Sequence, residues 1–172
     1  MYHQVPEKSV FLKAGANINV SRDILLMKLE LQSNPEMLCV VRGALGQLTE
    51  KLGFPAAECR AVVLAVDEAL TNIIRHAYCG SQGRPIELFL SRVQLRRNGA
   101  SREALEIVVV DRGAKIDDKK LCGRSLEDVK PGGLGLHLIR ESMDTVEFSR
   151  KKGKNQLRML KLFHEPGPQK ES

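Results

Sequence analysis

Ala56 to Tyr78 reads AAECRAVVLAVDEALTNIIRHAY, and this stretch decides the fold. Its apolar residues Val62, Val63, Val66, Ala69, Leu70, Ile73, Ile74 and Ala77 recur at spacings of three and four, which predicts one amphipathic helix with a broad buried stripe. Glu68 and Asn72 are four apart on the same winding, so they point the same way, one turn above the other. A carboxylate and a carboxamide on a largely apolar helix cost stability unless polar groups meet them. The pair is the first candidate site.

The chain around this helix alternates between the two periods. Upstream, Ile24 to Leu31 (ILLMKLEL) predicts a strand, and Ser33-Asn34-Pro35-Glu36 predicts a helix start with Ser33 or Asn34 as cap and Pro35 in the first turn. That helix should run to about Leu52, with Met37, Leu38, Val41, Leu45 and Leu48 on its buried stripe. Gly53-Phe54-Pro55 separates it from the central helix. Downstream, Ile86 to Val93 and Ala104 to Val110 flank an Asn98-Gly99 turn signal, which predicts an antiparallel hairpin.

Asp111-Arg112-Gly113 follows the second of these strands directly, and the polar stretch Ala114 to Lys130 predicts a long loop of functional type. Pro131-Gly132-Gly133-Leu134-Gly135-Leu136 closes the loop and leads into a helix from His137 to Met143. Two strands, Thr145 to Arg150 and Gln156 to Phe163, finish the domain around a connection of residues 151–155. The order predicts an α+β fold, a two-layer sandwich with a mixed, mostly antiparallel sheet and helices on one face. Residues 1–20 show no sustained period and are expected to form a flexible extension, residues 21–164 one domain, and residues 165–172 a disordered tail.

Bulk properties narrow the classes. At 172 residues the chain can bury a full core as one domain. No run approaches the roughly 18 to 20 apolar residues of a membrane span, and no secretory signal pattern opens the chain, so a cytoplasmic location is expected. Cys39, Cys59, Cys79 and Cys122 form no CxxC pair and read as reduced thiols rather than a zinc site. The net charge of +6 suits nucleic acid, an anionic ligand or an acidic partner alike. With 4% aromatic residues, no Trp and no helix-turn-helix or RNA-binding signature, direct nucleic-acid binding is not expected.

Three features then converge: Glu68 with Asn72, Asp111-x-Gly113 at a strand end, and glycines opening a helix. Glycines 132, 133 and 135 would let backbone N–H groups approach an anion at a helix start, with phosphate as the natural guest, although a plain turn explains such a loop equally well. The loop is not a Walker A motif, because GxxxxGK[ST] is missing. His76 reads as a capping or packing residue, and Lys151-Lys152-x-Lys154 as a solvated turn.

EALTN (68–72), DRG (111–113) and GGLGL (132–136), in that order, resemble the Bergerat-fold (GHKL) ATP-binding superfamily. VDEALTNIIRHAY (66–78) and GGLGLHLI (132–139) are most similar to the anti-sigma factor serine/threonine kinases, over about residues 24–163. The resemblance implies roles that fit each side chain. Asn72 would coordinate Mg2+ that also binds the ATP phosphates, and Glu68 would be the general base. Asp111 would accept a hydrogen bond from the adenine amino group, with Gly113 giving the base access to the backbone. Gly132, Gly133, Leu134 and Gly135 would form the lid end that holds phosphate. Arg75 would meet a phosphate oxygen or remain a surface arginine.

Two positions depart from the family pattern. Ala114-Lys115 follows where a second glycine is usual, and Pro131 replaces a common glycine. Lys115 would either contact phosphate or stiffen the lid base. The implied function is an ATP- and Mg2+-dependent protein-serine kinase that sequesters an alternative sigma factor and phosphorylates an anti-anti-sigma (STAS-type) partner. A homodimer is compatible with the resemblance. The competing expectation is a non-catalytic, nucleotide-binding module that acts by sequestration.

Overall fold

A computed structural model describes residues 9–12, 16–97, 100–114 and 134–163. The alternating stretches become six strands: β1 (Ser9–Leu12), β2 (Ala16–Gln32), β3 (Pro85–Arg97), β4 (Ala100–Asp111), β5 (Thr145–Lys151) and β6 (Lys154–Leu162). The 3.6-residue stretches become α1 (Met37–Lys51), α2 (Ala56–Asn72) and α3 (Leu134–Ser142), and α2 continues into a π-helical turn, Ile73–Ala77. The strands form one sheet in the order β1-β2-β3-β4-β6-β5.

Every pairing among the described residues is antiparallel, in place of the mixed sheet expected from the sequence. The connections explain it. Two helices separate β2 from β3, so the chain comes back running against β2. One helix leads from β4 to β5, which would make those two parallel neighbours, but β6 lies between them and opposes both.

The core lies between the helices and one face of this sheet. Ile86, Leu88 and Leu90 of β3, Leu105, Ile107 and Val109 of β4, and Leu157 and Met159 of β6 meet Val62, Val66, Ala69 and Leu70 of α2. Leu38, Val41 and Leu45 of α1 and Ile139 of α3 complete the layer. Truncating one such side chain typically costs about 2–5 kcal/mol. The predicted stripes hold in outline, but Ala65 and Thr49 are also fully buried, Leu48, Val63 and Ala77 are only half-buried, and Met37 is exposed.

The opposite face carries a second, smaller cluster of Val93, Leu95, Ala104 and Leu160. Beside it Arg158 lies between two carboxylates, its Nε donating to Glu106 Oε1 at 2.6 Å and its Nη1 3.5 Å from Glu147 Oε2. Glu106 and Arg158 are 1% and 6% exposed.

Three local expectations change. β2 starts at Ala16, not Ile24, and pairs with β1, so residues 9–12 and 16–20 form an outer hairpin where a flexible extension was expected. The long register with β3, from Asn19 opposite Arg96 to Gln32 opposite Pro85, carries this strand through Ser21-Arg22-Asp23, where the apolar alternation of the sequence lapses. Ser33 does not cap α1. It is buried, donates its hydroxyl to the Ser81 carbonyl at 2.6 Å and accepts the Arg84 N–H at 3.0 Å, while Asn34 Oδ1 accepts the Glu36 N–H.

The third change is at the last hairpin. Lys152 and Gly153 take φ values of 50° and 78°, the two-residue pattern of a type I′ turn. Lys151 therefore pairs with Lys154 and Arg150 with Asn155, which puts Asn155 inside β6 instead of the connecting loop. The Asn98-Gly99 signal, most of the predicted loop and the predicted tail lie outside the described residues.

Candidate functional site

Glu68 and Asn72 are half-buried on the last turns of α2. The first turn of α3 crosses directly over them. A Cβ placed on Gly135 would lie 2.6 Å from Glu68 Oε2, and 3.2 and 3.6 Å from Asn72 Nδ2 and Oδ1. Only a residue without a side chain lets the helix start sit there undisturbed. The pair thus stands between α2 and α3. The start of α3 brings the partial positive charge of a helix N-terminus to a carboxylate and a carboxamide, an arrangement that favours an anion beside them.

A second polar group forms where β4 ends. Asp111 is 3% exposed, and its Oδ1 accepts two hydrogen bonds, from the Gly113 N–H at 2.7 Å and from Asn155 Nδ2 at 2.8 Å. Among the described residues Oδ2 receives none. Asn155 Nδ2 also donates to the Ala114 carbonyl at 3.1 Å, and Asn155 Oδ1 accepts from Arg150 Nη1. Arg150 Nη1 reaches the Gly113 carbonyl at 3.1 Å. A buried carboxylate is thereby oriented, with one oxygen occupied and one open.

The π turn joins the two groups. Its wider winding is closed by Tyr78 N–H to the Ile73 carbonyl at 2.9 Å, and the Ala77 carbonyl turns outward to accept the Ala114 N–H at 3.0 Å. A Cβ on Gly113 would come within 2.5 Å of that Ala77 carbonyl oxygen. The role given to Gly113 by resemblance was access for a base; in the fold, its lack of a side chain lets β4's end pack on the π turn. Tyr78 ties the same corner, donating its hydroxyl to the Pro85 carbonyl at 2.6 Å and accepting the Arg112 N–H at 2.9 Å. Burial pushes the Tyr78 hydroxyl above its ordinary value of 10.0, against the lowering effect of the Arg112 bond. An open hollow of about 360 Å3 adjoins this corner, with the exposed Arg84 and Arg112 on its wall.

Of the site residues expected from sequence, the fold brings Glu68, Asn72 and Gly135 into one cluster and Asp111 and Gly113 into another, linked by the π turn. Arg75 is exposed on that turn, and Leu134 is the first residue of α3. Lys115, Gly132 and Gly133 lie outside the described residues, as does Pro131. Tyr78, Asn155 and Arg150 were not expected. Tyr78 follows the helical motif but its bonds are to residues distant in sequence, and Asn155 and Arg150 are recognisable only from strand register. Cys39, Cys59 and Cys79 are free thiols.

The donor set suits a nucleotide with its metal. The Asn72 amide oxygen is a hard ligand, and among the described residues no cluster of three His, Cys, Asp or Glu side chains surrounds it. A divalent cation held here would draw its other ligands from phosphate and water.

A carboxylate–carboxamide pair beneath a glycine-opened helix, with a lone aspartate at a strand end, defines a nucleotide-binding α+β domain. Residues 31–161 match the family described as histidine kinase-like ATPase domain, and the chain belongs to that family. It is therefore an ATP-binding domain. It is similar to the serine-protein kinase RsbW of Bacillus pumilus, 29% identical over 136 residues, which covers 74% of this chain and 80% of the relative. It is also similar to the serine/threonine-protein kinase BtrW of Bordetella bronchiseptica, 35% identical over 100 residues, covering 56% of this chain and 65% of the relative.

Two solved structures share the fold. The SiaB–SiaC complex from Pseudomonas aeruginosa matches with a TM-score of 0.52 and 13% identity, over 81% of this chain and 91% of that one. The RsbU and RsbW domains of Rv1364c from Mycobacterium tuberculosis match with a TM-score of 0.51 and 14% identity, over 79% of this chain and 32% of that one. Among the described residues no helix is long and apolar enough to cross a membrane.

Proposed function

We propose that this chain is an ATP- and Mg2+-dependent serine/threonine-protein kinase acting as an anti-sigma factor, its catalytic domain being the expected residues 21–164 extended N-terminally by the β1–β2 hairpin. It sequesters an alternative sigma factor in the cytoplasm and phosphorylates an anti-anti-sigma partner of STAS type on serine. Homodimer formation belongs to the same reading. The observation that carries it is the seating of Gly135 on Glu68 and Asn72, which sets a helix N-terminus over a carboxylate and a carboxamide.

The residues divide the work. Asp111 Oδ2 accepts the adenine amino group. Backbone N–H groups at the start of α3 hold phosphate oxygens, and Asn72 Oδ1 would be the protein's ligand to Mg2+. The bound ion supplies charge neutralisation on the phosphates. Glu68 takes the proton from the attacking seryl hydroxyl, while the γ-phosphoryl group transfers in line and ADP leaves. Half-burial of Glu68 and Asn72 limits water around this step. For the partner, Leu64 is exposed at 41% on α2 beside Arg60 and beside Arg42, which pairs with Asp67.

The test is transfer of labelled phosphate from Mg-ATP to a serine-bearing antagonist. Glu68→Gln should lower transfer by roughly 10²- to 10⁴-fold with nucleotide binding retained. Transfer unchanged in that variant would sink the kinase role of Glu68. Micromolar Mg-ATP binding with no transfer by the unaltered protein would instead favour the sequestering, non-catalytic module.

A further inference from the structure

Asp111, Asn155 and Arg150 stand side by side on three neighbouring strands. Asp111 is opposite Asn155 in the β4–β6 register, and Arg150 is opposite Asn155 in the β5–β6 register. Residues directly opposite share a face and interact. This row lies on the helix-facing side, one step beyond Val109 and Leu157 of the core.

The row has a definite chemical polarity. Both hydrogens of the Asn155 amide nitrogen are used, one on Asp111 Oδ1 at 2.8 Å and one on the Ala114 carbonyl at 3.1 Å. Its amide oxygen takes the Arg150 guanidinium. The carboxamide is thus fixed at both ends and cannot flip without placing its oxygen against a carboxylate and its NH2 against a cation. A guanidinium placed directly on Asp111 would tend to pair with both carboxylate oxygens. Here the cation acts one residue away, through a neutral amide. Oδ1 is saturated, and among the described residues Oδ2 is the acceptor left for a ligand.

We propose that Asn155, braced by Arg150, is a positioning residue that makes Asp111 selective for a purine carrying a 6-amino group. This deepens the reading of Asp111 as the adenine acceptor and rests on it. Without the brace, Asp111 Oδ1 keeps only the Gly113 N–H, and the division into one structural and one ligand-binding oxygen is held less strictly. Arg150 and Asn155 also hold the carbonyls of Gly113 and Ala114, so the strand end and the acceptor move together.

The experiment compares affinity for Mg-ATP with that for the Mg complex of purine riboside triphosphate, which lacks the amino group. Damage to the fold or to phosphate binding weakens both nucleotides alike, whereas loss of base positioning changes their ratio. The unaltered protein should favour ATP by roughly ten- to a hundredfold, the worth of one hydrogen bond to a charged acceptor. In Asn155→Ala the ratio should fall to within about threefold of unity, and in Arg150→Ala to an intermediate value. Arg150 is a surface residue, so Arg150→Ala carries the decision if Asn155→Ala does not fold. A full ATP preference retained in folded Asn155→Ala, or in Arg150→Ala, overturns the proposal while leaving Asp111 as the adenine acceptor. No preference in the unaltered protein overturns that reading as well, and the proposal with it.

Discussion

Two polar rows cross the same three strands, and they are built to opposite ends. On the helix-facing side, Asp111, Asn155 and Arg150 form a graded series in which a neutral amide separates anion from cation. On the other side, Arg158 lies directly on Glu106 and beside Glu147. In the first row, among the described residues, one carboxylate oxygen takes no hydrogen bond. In the second the charges answer one another inside the protein. A buried charge stabilises little by itself, but removing its partner is expensive. The inner row is read as recognition and the outer row as structure.

The largest expected effect breaks the outer row. Arg158→Ala leaves Glu106, 1% exposed, without its guanidinium and should cost about 3–5 kcal/mol of folding stability. The denaturant midpoint checks this, and the preference for ATP over purine riboside triphosphate in the folded fraction should stay unchanged. A shifted preference would show that the two rows are not separate devices.

The two glycines sharpen the contrast between fold and site. Gly113→Ala drives a methyl against the Ala77 backbone, within 2.5 Å of its carbonyl oxygen, and should cost about 1–3 kcal/mol in stability. In Gly135→Ala the nearest atom is the mobile end of the Glu68 side chain, at 2.6 Å. Alanine is the better helix former by about 1 kcal/mol, so stability should barely change. Phosphoryl transfer should nevertheless fall about a hundredfold, because the displaced carboxylate is the proposed base. Equal losses of stability and transfer in the two variants would remove the distinction.

The smallest effect concerns the corner that holds both clusters. Tyr78→Phe abolishes the bonds to the Pro85 carbonyl and the Arg112 N–H and should cost about 1 kcal/mol. Because burial raises the Tyr78 value above 10.0, the unfolded chain ionises there first. The stability contributed by neutral Tyr78 is complete below pH 10.0 and is lost as pH rises through the higher folded value. Thermal unfolding followed from about pH 9 to about pH 11 should fall less steeply in Tyr78→Phe than in the unaltered protein.

Much of this was legible in the residues. The 3.6-residue stripe of α2 places Glu68 and Asn72 together whatever surrounds them, since their spacing alone determines it. The alternation of Ile86, Leu88 and Leu90 against Leu105, Ile107 and Val109 marks the central hairpin in the same way. The outer hairpin was hidden because the alternation of Ala16, Ile18 and Val20 with Asn17 and Asn19 is short and Ser21-Arg22-Asp23 breaks it off from Ile24, while pairing with β1 and β3 makes the strand continuous. Asn155 was hidden for a different reason. A turn of only Lys152 and Gly153 extends β6 into a stretch that reads as loop.

The sequence by itself determined the elements, the buried stripes and the identity of the carboxylate–carboxamide pair, because each follows from periods of a few residues. Tertiary structure decided what those groups face. Gly135 could be seen as a flexible loop glycine, but only packing makes it the space that lets α3 rest on Glu68 and Asn72. Asp111 could be seen at a strand end, but only register across three strands gives it Asn155 and, behind that, Arg150. Register and helix contact join residues tens of positions apart, and no local period carries that information.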